Sequence, residues 1–151
     1  MNFRKATIHD VPTLVELLAD DPLGKTREDF QIPLPDAYFK AFEIINSDPQ
    51  QELIVVENDH AEIIGTLQLS FIQYLTYRGG TRAQLEAVRI RKDQRGLGIG
   101  KTMLQWAINR AKERQAHVLQ LTTDKKRPDA IKFYEGLGFI ASHEGMKLHL
   151  K

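Results

Sequence analysis

Cysteine is absent from all 151 residues. That rules out disulfides, a thiol nucleophile and every thiolate metal site, and it fits a reducing compartment. No charge of one sign predominates: 21 basic and 20 acidic side chains leave a formal net charge of +1. A chain so balanced has neither the broad basic footprint of a nucleic-acid binder nor that of a membrane-surface protein. Long apolar runs are also missing, none approaching the roughly 20 residues that cross a bilayer. At the start, Met1-Asn2-Phe3-Arg4-Lys5 places charges where a signal peptide needs an apolar stretch. These absences predict a soluble, cytoplasmic protein. The five histidines, at positions 9, 60, 117, 143 and 149, include no His-x-x-x-His pair, so no metal is expected. Neither does any serine sit in a Gly-x-Ser-x-Gly elbow.

Internal repeats, low-complexity tracts and linkers are lacking too, so residues 1–151 are read as a single domain. What is present is a regular alternation of elements. A strand at 3–7 leads to Asp10 as an N-cap, then Leu14, Val15, Leu17 and Leu18 at helical spacing. Residues 20–35, with three prolines, a glycine and several charges, read as an irregular loop. Asp36 caps a second helix, which stops at Ser47-Asp48-Pro49. Strands follow at 53–57 and 63–74, joined across Asn58-Asp59, and a third at 82–90 after the turn Tyr77-Arg78-Gly79-Gly80. A helix then carries Ile99, Met103, Trp106, Ala107 and Ala111 inward, a strand spans 118–122, and Pro128 opens a last helix through Leu137. Residues 139–142 and 146–150 read as two more strands around Glu144-Gly145. The expected fold is α/β (α+β): a mixed, mostly antiparallel six- to seven-stranded sheet flanked by about four helices.

The most informative segment is Arg95-Gly96-Leu97-Gly98-Ile99-Gly100-Lys101, between a strand and a helix. Glycines there let a ligand approach the backbone, and the unbonded N–H groups of the helix's first turn make an anion site suited to phosphate. Arg95 and Lys101 add positive charge. A Walker A loop needs glycine where Arg95 stands, and the dinucleotide fingerprint needs glycine where Lys101 stands. What fits is Arg/Gln-x-x-Gly-x-Gly/Ala, which resembles the coenzyme A pyrophosphate loop of the GNAT acetyltransferase superfamily. The resemblance extends to Leu85-Glu86-Ala87-Val88-Arg89-Ile90, similar to that family's fourth strand. It also takes in Ala130-Ile131-Lys132-Phe133-Tyr134-Glu135-Gly136-Leu137-Gly138-Phe139, similar to its A-x-x-F-Y-x-x-x-G-F segment. These motifs lie within residues 82–140.

The resemblance implies an N-acetyltransferase that moves the acetyl group of acetyl-CoA to a primary amine, without a metal and as a homodimer. By the family's pattern, the amides of Arg95, Gly96, Leu97, Gly98, Ile99, Gly100 and Lys101 hold the pyrophosphate. Ala87, Val88 and Ile90, on a bulged strand, hold the pantetheine arm, and the Val88 amide polarises the thioester carbonyl. Glu86 falls at the general-base position, its alternative being a carboxylate paired with Arg82, Arg89 or Arg91. Tyr134 falls at the general-acid position, its alternative being an aromatic packing residue. Asp124 stands where the family has an asparagine that bonds the pantetheine, and an ionised acid cannot donate that bond. Arg127 is either a phosphate contact or a solvated loop cation. A non-catalytic acetyl-CoA sensor of the same fold is the alternative to the enzyme. Substrate choice is expected from residues 20–35, the second helix and the turn at 76–81.

Overall fold

A computed structural model describes every residue, Met1–Lys151, in two compact units, Met1–Gln120 and Leu121–Lys151. The sheet runs in the order β1-β2-β3-β4-β5: β1 (Asn2–Lys5), β2 (Gln51–Glu57), β3 (Ile63–Gln73), β4 (Thr81–Ile90) and β5 (Val118–Leu121). The β1–β2, β2–β3 and β3–β4 pairings are antiparallel. Beside β4, the His117 N–H bonds the Thr81 carbonyl at 2.9 Å and the Gln120 side chain bonds Gln84 at 2.8 Å. Both contacts advance in the same direction, as a parallel pair joined by a helical crossover must.

Period-two alternation divides the central strands between two faces. Val55 joins Ala6, Leu34 and the helices α1 (Val11–Ala19) and α3 (Asp36–Ser47), through Val11, Leu14, Val15, Leu17 and Phe42, in one cluster. The opposite face meets α5 (Ile99–Glu113), whose Met103, Leu104 and Ala107 are wholly buried. Gly65 of β3 permits that contact, since a Cβ there would come within 3.0 Å of the Met103 sulfur.

A buried carboxylate fixes α5 to the sheet. Glu52 of β2, 2 % exposed, accepts from Arg110 Nε at 2.8 Å and Nη2 at 2.9 Å, and from Arg114 Nη1 at 2.6 Å. Burial pushes its pKa up, but bonds and charge from Arg110 and Arg114 outweigh this and hold it below the usual glutamate value. A depressed folded-state pKa contributes stability above the unfolded value, and that stability is lost as pH falls through the folded one. Glu52→Ala should therefore lose about 3 kcal/mol at neutral pH, the low end for one partner of a buried pair because both arginines are partly solvated. Denaturant midpoints at pH 7 and pH 4 check this, with the variant losing less than the native chain on acidification.

Three expectations need correction. Asp10 holds the N-cap position of α1 as expected, but its side chain makes no cap bond there; its carboxylate accepts the Thr7 N–H at 2.7 Å and two bonds from Arg4, closing the turn at Ile8–Asp10 instead. The irregular loop at 20–35 contains one helical turn, α2 (Gly24–Arg27), tied by the Gly24 N–H to Asp21 Oδ2 at 2.8 Å. The sheet has five strands, not six or seven. After α6 (Pro128–Gly136) the tail forms no ladder, and Ile140, Met146, Leu148 and Leu150 are 84–94 % exposed. Apolar alternation reports what a strand would bury, but a ladder also needs a partner backbone, and none pairs with these residues.

Candidate active site

The turn before α5 is shaped by two left-handed glycines, Gly96 (φ 78°) and Gly98 (φ 82°). Side chains strain there, and Gly98 is also the helix N-cap. The Thr102 N–H reaches back to the Gly98 carbonyl at 3.3 Å. The preceding N–H groups, of Ile99, Gly100 and Lys101, have no intrahelical acceptor and project from the helix start. A Cβ built on Gly96 or Gly98 meets no atom within 4 Å, so the space beside the turn is open. Free amides, the helix dipole and the exposed Lys101 suit this open turn to a diphosphate. Leu97 beside it is 67 % exposed.

Arg95 is placed differently from its neighbours. Its N–H bonds the Lys92 carbonyl at 3.4 Å. Its guanidinium bonds the Ile90 carbonyl at 3.0 Å and the Asp20 carbonyl at 3.1 Å, with the Asp20 carboxylate at 3.8 Å. It braces the turn against the loop after α1 and the end of β4.

On β4, Glu86 pairs with Gln68 and Arg89 pairs with Thr66, so Ala87 and Val88 together face Leu67. This is a bulge with its first residue in the left-handed region, Ala87 at φ 54°. Val88 O accepts from Arg89 Nη1 at 2.9 Å, so the carbonyls of Val88 and Ile90 are both bonded by nearby guanidiniums. Glu86 to Ile90 lie beyond the contacts that tie β4 to His117 and Gln120.

Glu86 is exposed and forms no ion pair with the three arginines named above. Arg89 lies 3.6 Å from Asp21. Arg91 holds Asp93 at 2.7 Å, and this bond brings the aspartate pKa down to about 2. Arg82 rests on tyrosine rings. The bond to Glu86 comes from Gln84 Nε2 at 3.0 Å to Oε1, and Gln84 is itself held by Gln120 at 2.8 Å. This Gln120–Gln84–Glu86 relay leaves Oε2 without a protein donor. Sequence reasoning misses the relay, although Gln84 stands two places from Glu86, on the same face of an alternating strand.

In the smaller unit, half-buried Tyr134 lies on α6 with its ring edge-on to Phe139 at 5.8 Å and to Phe133 at 5.3 Å. Asp124 works as a turn residue: its carboxylate accepts the Lys126 N–H and its carbonyl the Arg127 N–H, each at 2.9 Å. Arg127 stands at the start of α6, ahead of Pro128.

A solved structure from Bacillus halodurans C-125, described as a transcriptional regulator, is 53 % identical, with a TM-score of 0.95 over 99 % of both chains. A predicted acetyltransferase from Clostridium acetobutylicum, solved with acetyl-CoA, is 26 % identical with a TM-score of 0.74, covering 99 % of this chain and 96 % of that one. The aminoalkylphosphonate N-acetyltransferase of Salmonella typhimurium is 26 % identical, over 93 % of this chain and 85 % of its own length. The family model described as "Acetyltransferase (GNAT) family" matches residues 14–139, which take in the glycine turn, the bulged strand and the Tyr134 helix: the chain belongs to the GNAT acetyltransferase family.

Proposed function

We propose that this acetyl-CoA-dependent N-acetyltransferase acts on a small primary amine, with Glu86 as general base and Tyr134 as general acid. An alkyl ammonium with a pKa near 10 is mostly protonated at neutral pH and cannot attack. Glu86 Oε2 takes its proton, directly or through a water. The nitrogen then bonds to the acetyl carbon, whose oxygen the Val88 amide polarises, and the C–S bond breaks. The Tyr134 hydroxyl gives its proton to the departing thiolate, and the second proton that the nitrogen sheds as the amide forms restores the phenol. Amides of the glycine turn hold the diphosphate, and the bulge at Ala87 leaves strand edge for the pantetheine arm.

The observation that carries this reading is an exposed Glu86, held by a glutamine rather than an arginine, directly before a left-handed bulge. Small-molecule chemistry is favoured because the Salmonella typhimurium relative is named for an aminoalkylphosphonate. Free thiol released from acetyl-CoA on adding each member of an amine panel tests it. Glu86→Gln should lower kcat about 100-fold at neutral pH, with the loss shrinking as pH rises and the amine deprotonates unaided.

The description of the 53 % identical Bacillus halodurans protein as a transcriptional regulator favours a second reading, a regulatory protein that senses acetyl-CoA without turnover. The same assay separates the two: a sensor binds acetyl-CoA and releases no thiol with any amine.

A further inference from the structure

Arg82 is anomalous among the half-buried arginines of the larger unit. Arg4, Arg89, Arg91, Arg110 and Arg114 each face a carboxylate within 4.0 Å. Arg82 instead lies 4.7 Å from the Tyr74 ring centroid and 5.5 Å from that of Tyr77, and Tyr77 stacks on His117 at 4.8 Å. Its Nε is buried without a hydrogen-bond partner. Its two terminal nitrogens bond no protein acceptor and are not among the buried unpaired atoms, so they remain open to solvent. Aromatic faces stabilise a cation by about 0.5–2 kcal/mol but leave its N–H fork unsatisfied. A fork of that kind matches a planar or tetrahedral oxyanion in two-point contact.

The surroundings hold this fork in place. Tyr77 and Arg78, in the turn α4 (Thr76–Gly79), adopt φ of 51° and 57°, a conformation that costs roughly 1–2 kcal/mol for each residue. Gly80 presses on His117, and a Cβ there would come within 2.5 Å of the imidazole. Arg82, Gln84 and Glu86 pair in turn with Ile72, Ser70 and Gln68, and so share one face of β4. Four residue steps along the strand separate Arg82 from Glu86 by roughly 13 Å between Cα atoms.

We infer that Arg82, backed by Tyr74 and Tyr77, clamps an oxyanion head on the acceptor, so that the substrates are small amines carrying a carboxylate or phosphonate. This rests on the N-acetyltransferase reading, with the amine at Glu86 and the acid head at the opposite end of the same strand face. Arg82 acts in binding, and it takes no part in the proton transfers.

The test compares matched amines by thiol release: methionine against methionine amide for a carboxylate, and 2-aminoethylphosphonate against ethanolamine for a phosphonate. The native enzyme should favour the acid-bearing member of at least one pair by more than 10-fold in kcat/KM, and the better pair identifies the head group. Arg82→Gln should remove that preference, bringing the ratio to about 1, mainly through KM. Arg82→Lys, which keeps a charge but not the fork, should reduce it less. Equal use of both members of each pair by the native enzyme overturns the clamp and leaves the transferase standing, as does an Arg82→Gln preference equal to the native one. Thiol release by no amine in either arm, with acetyl-CoA still bound, overturns the transferase reading and the clamp together.

Discussion

Gly98→Glu should abolish acetyl-CoA binding while the chain still folds. The added Cβ meets no atom within 4 Å, so the side chain starts into open space. Its backbone must stay at φ 82°, where an L-residue costs roughly 1–2 kcal/mol, a tolerable loss for a domain of this size. The larger effect falls on the ligand. A carboxylate about 4 Å from a phosphate charge costs about 4 kcal/mol at an effective dielectric of about 20. That corresponds to nearly a 1,000-fold loss of affinity, before counting the room the side chain takes from the ligand. Gly98→Ala serves as the control, carrying the backbone strain without the charge, and should weaken binding about 10-fold. Calorimetric titration of both variants with acetyl-CoA decides the matter, with thermal melting reporting that each is folded. Native affinity in Gly98→Glu would place the diphosphate elsewhere on the protein.

Tyr134→Phe should lower kcat by about 100-fold or more, the usual contribution of a positioned general acid, while acetyl-CoA affinity changes less than about twofold. Phenylalanine keeps the ring between Phe133 and Phe139, so the packing of α6 is preserved and the hydroxyl alone is removed. The loss should be smaller with an acetyl donor whose thiolate is a better leaving group, since such a donor needs less help from a proton. Unchanged turnover would make Tyr134 an aromatic packing residue and no more.

The legible parts of the sequence are those written in residue types that have a single physical use. Glycine at 96 and 98 marks a turn whose left-handed φ only that residue accommodates well. The long strands and α5 are visible because their apolar residues repeat at the period of each element. Illegible features depend on partners distant in the chain. Asp10 reads as a helix cap, yet Arg4 and the Thr7 amide claim its carboxylate. Arg95 reads as a phosphate contact, yet Asp20 and the Ile90 carbonyl hold its guanidinium. Alanine carries no signal for a left-handed φ, so the bulge that the family resemblance implies is placed at Ala87 only by the structure. In the tail, alternation at 146, 148 and 150 promises a strand, but pairing is decided by what lies alongside. Arg82 is the converse case: nothing in its sequence neighbourhood says that acidic partners will be missing.

A crystal structure of the chain with acetyl-CoA tests the central claim most directly. The diphosphate should lie within hydrogen-bonding distance, about 2.9 Å, of the Ile99, Gly100 and Lys101 amides. Its thioester should reach the bulge at Ala87, beside Glu86. A diphosphate bound away from the start of α5, or a thioester directed away from β4, would contradict the account.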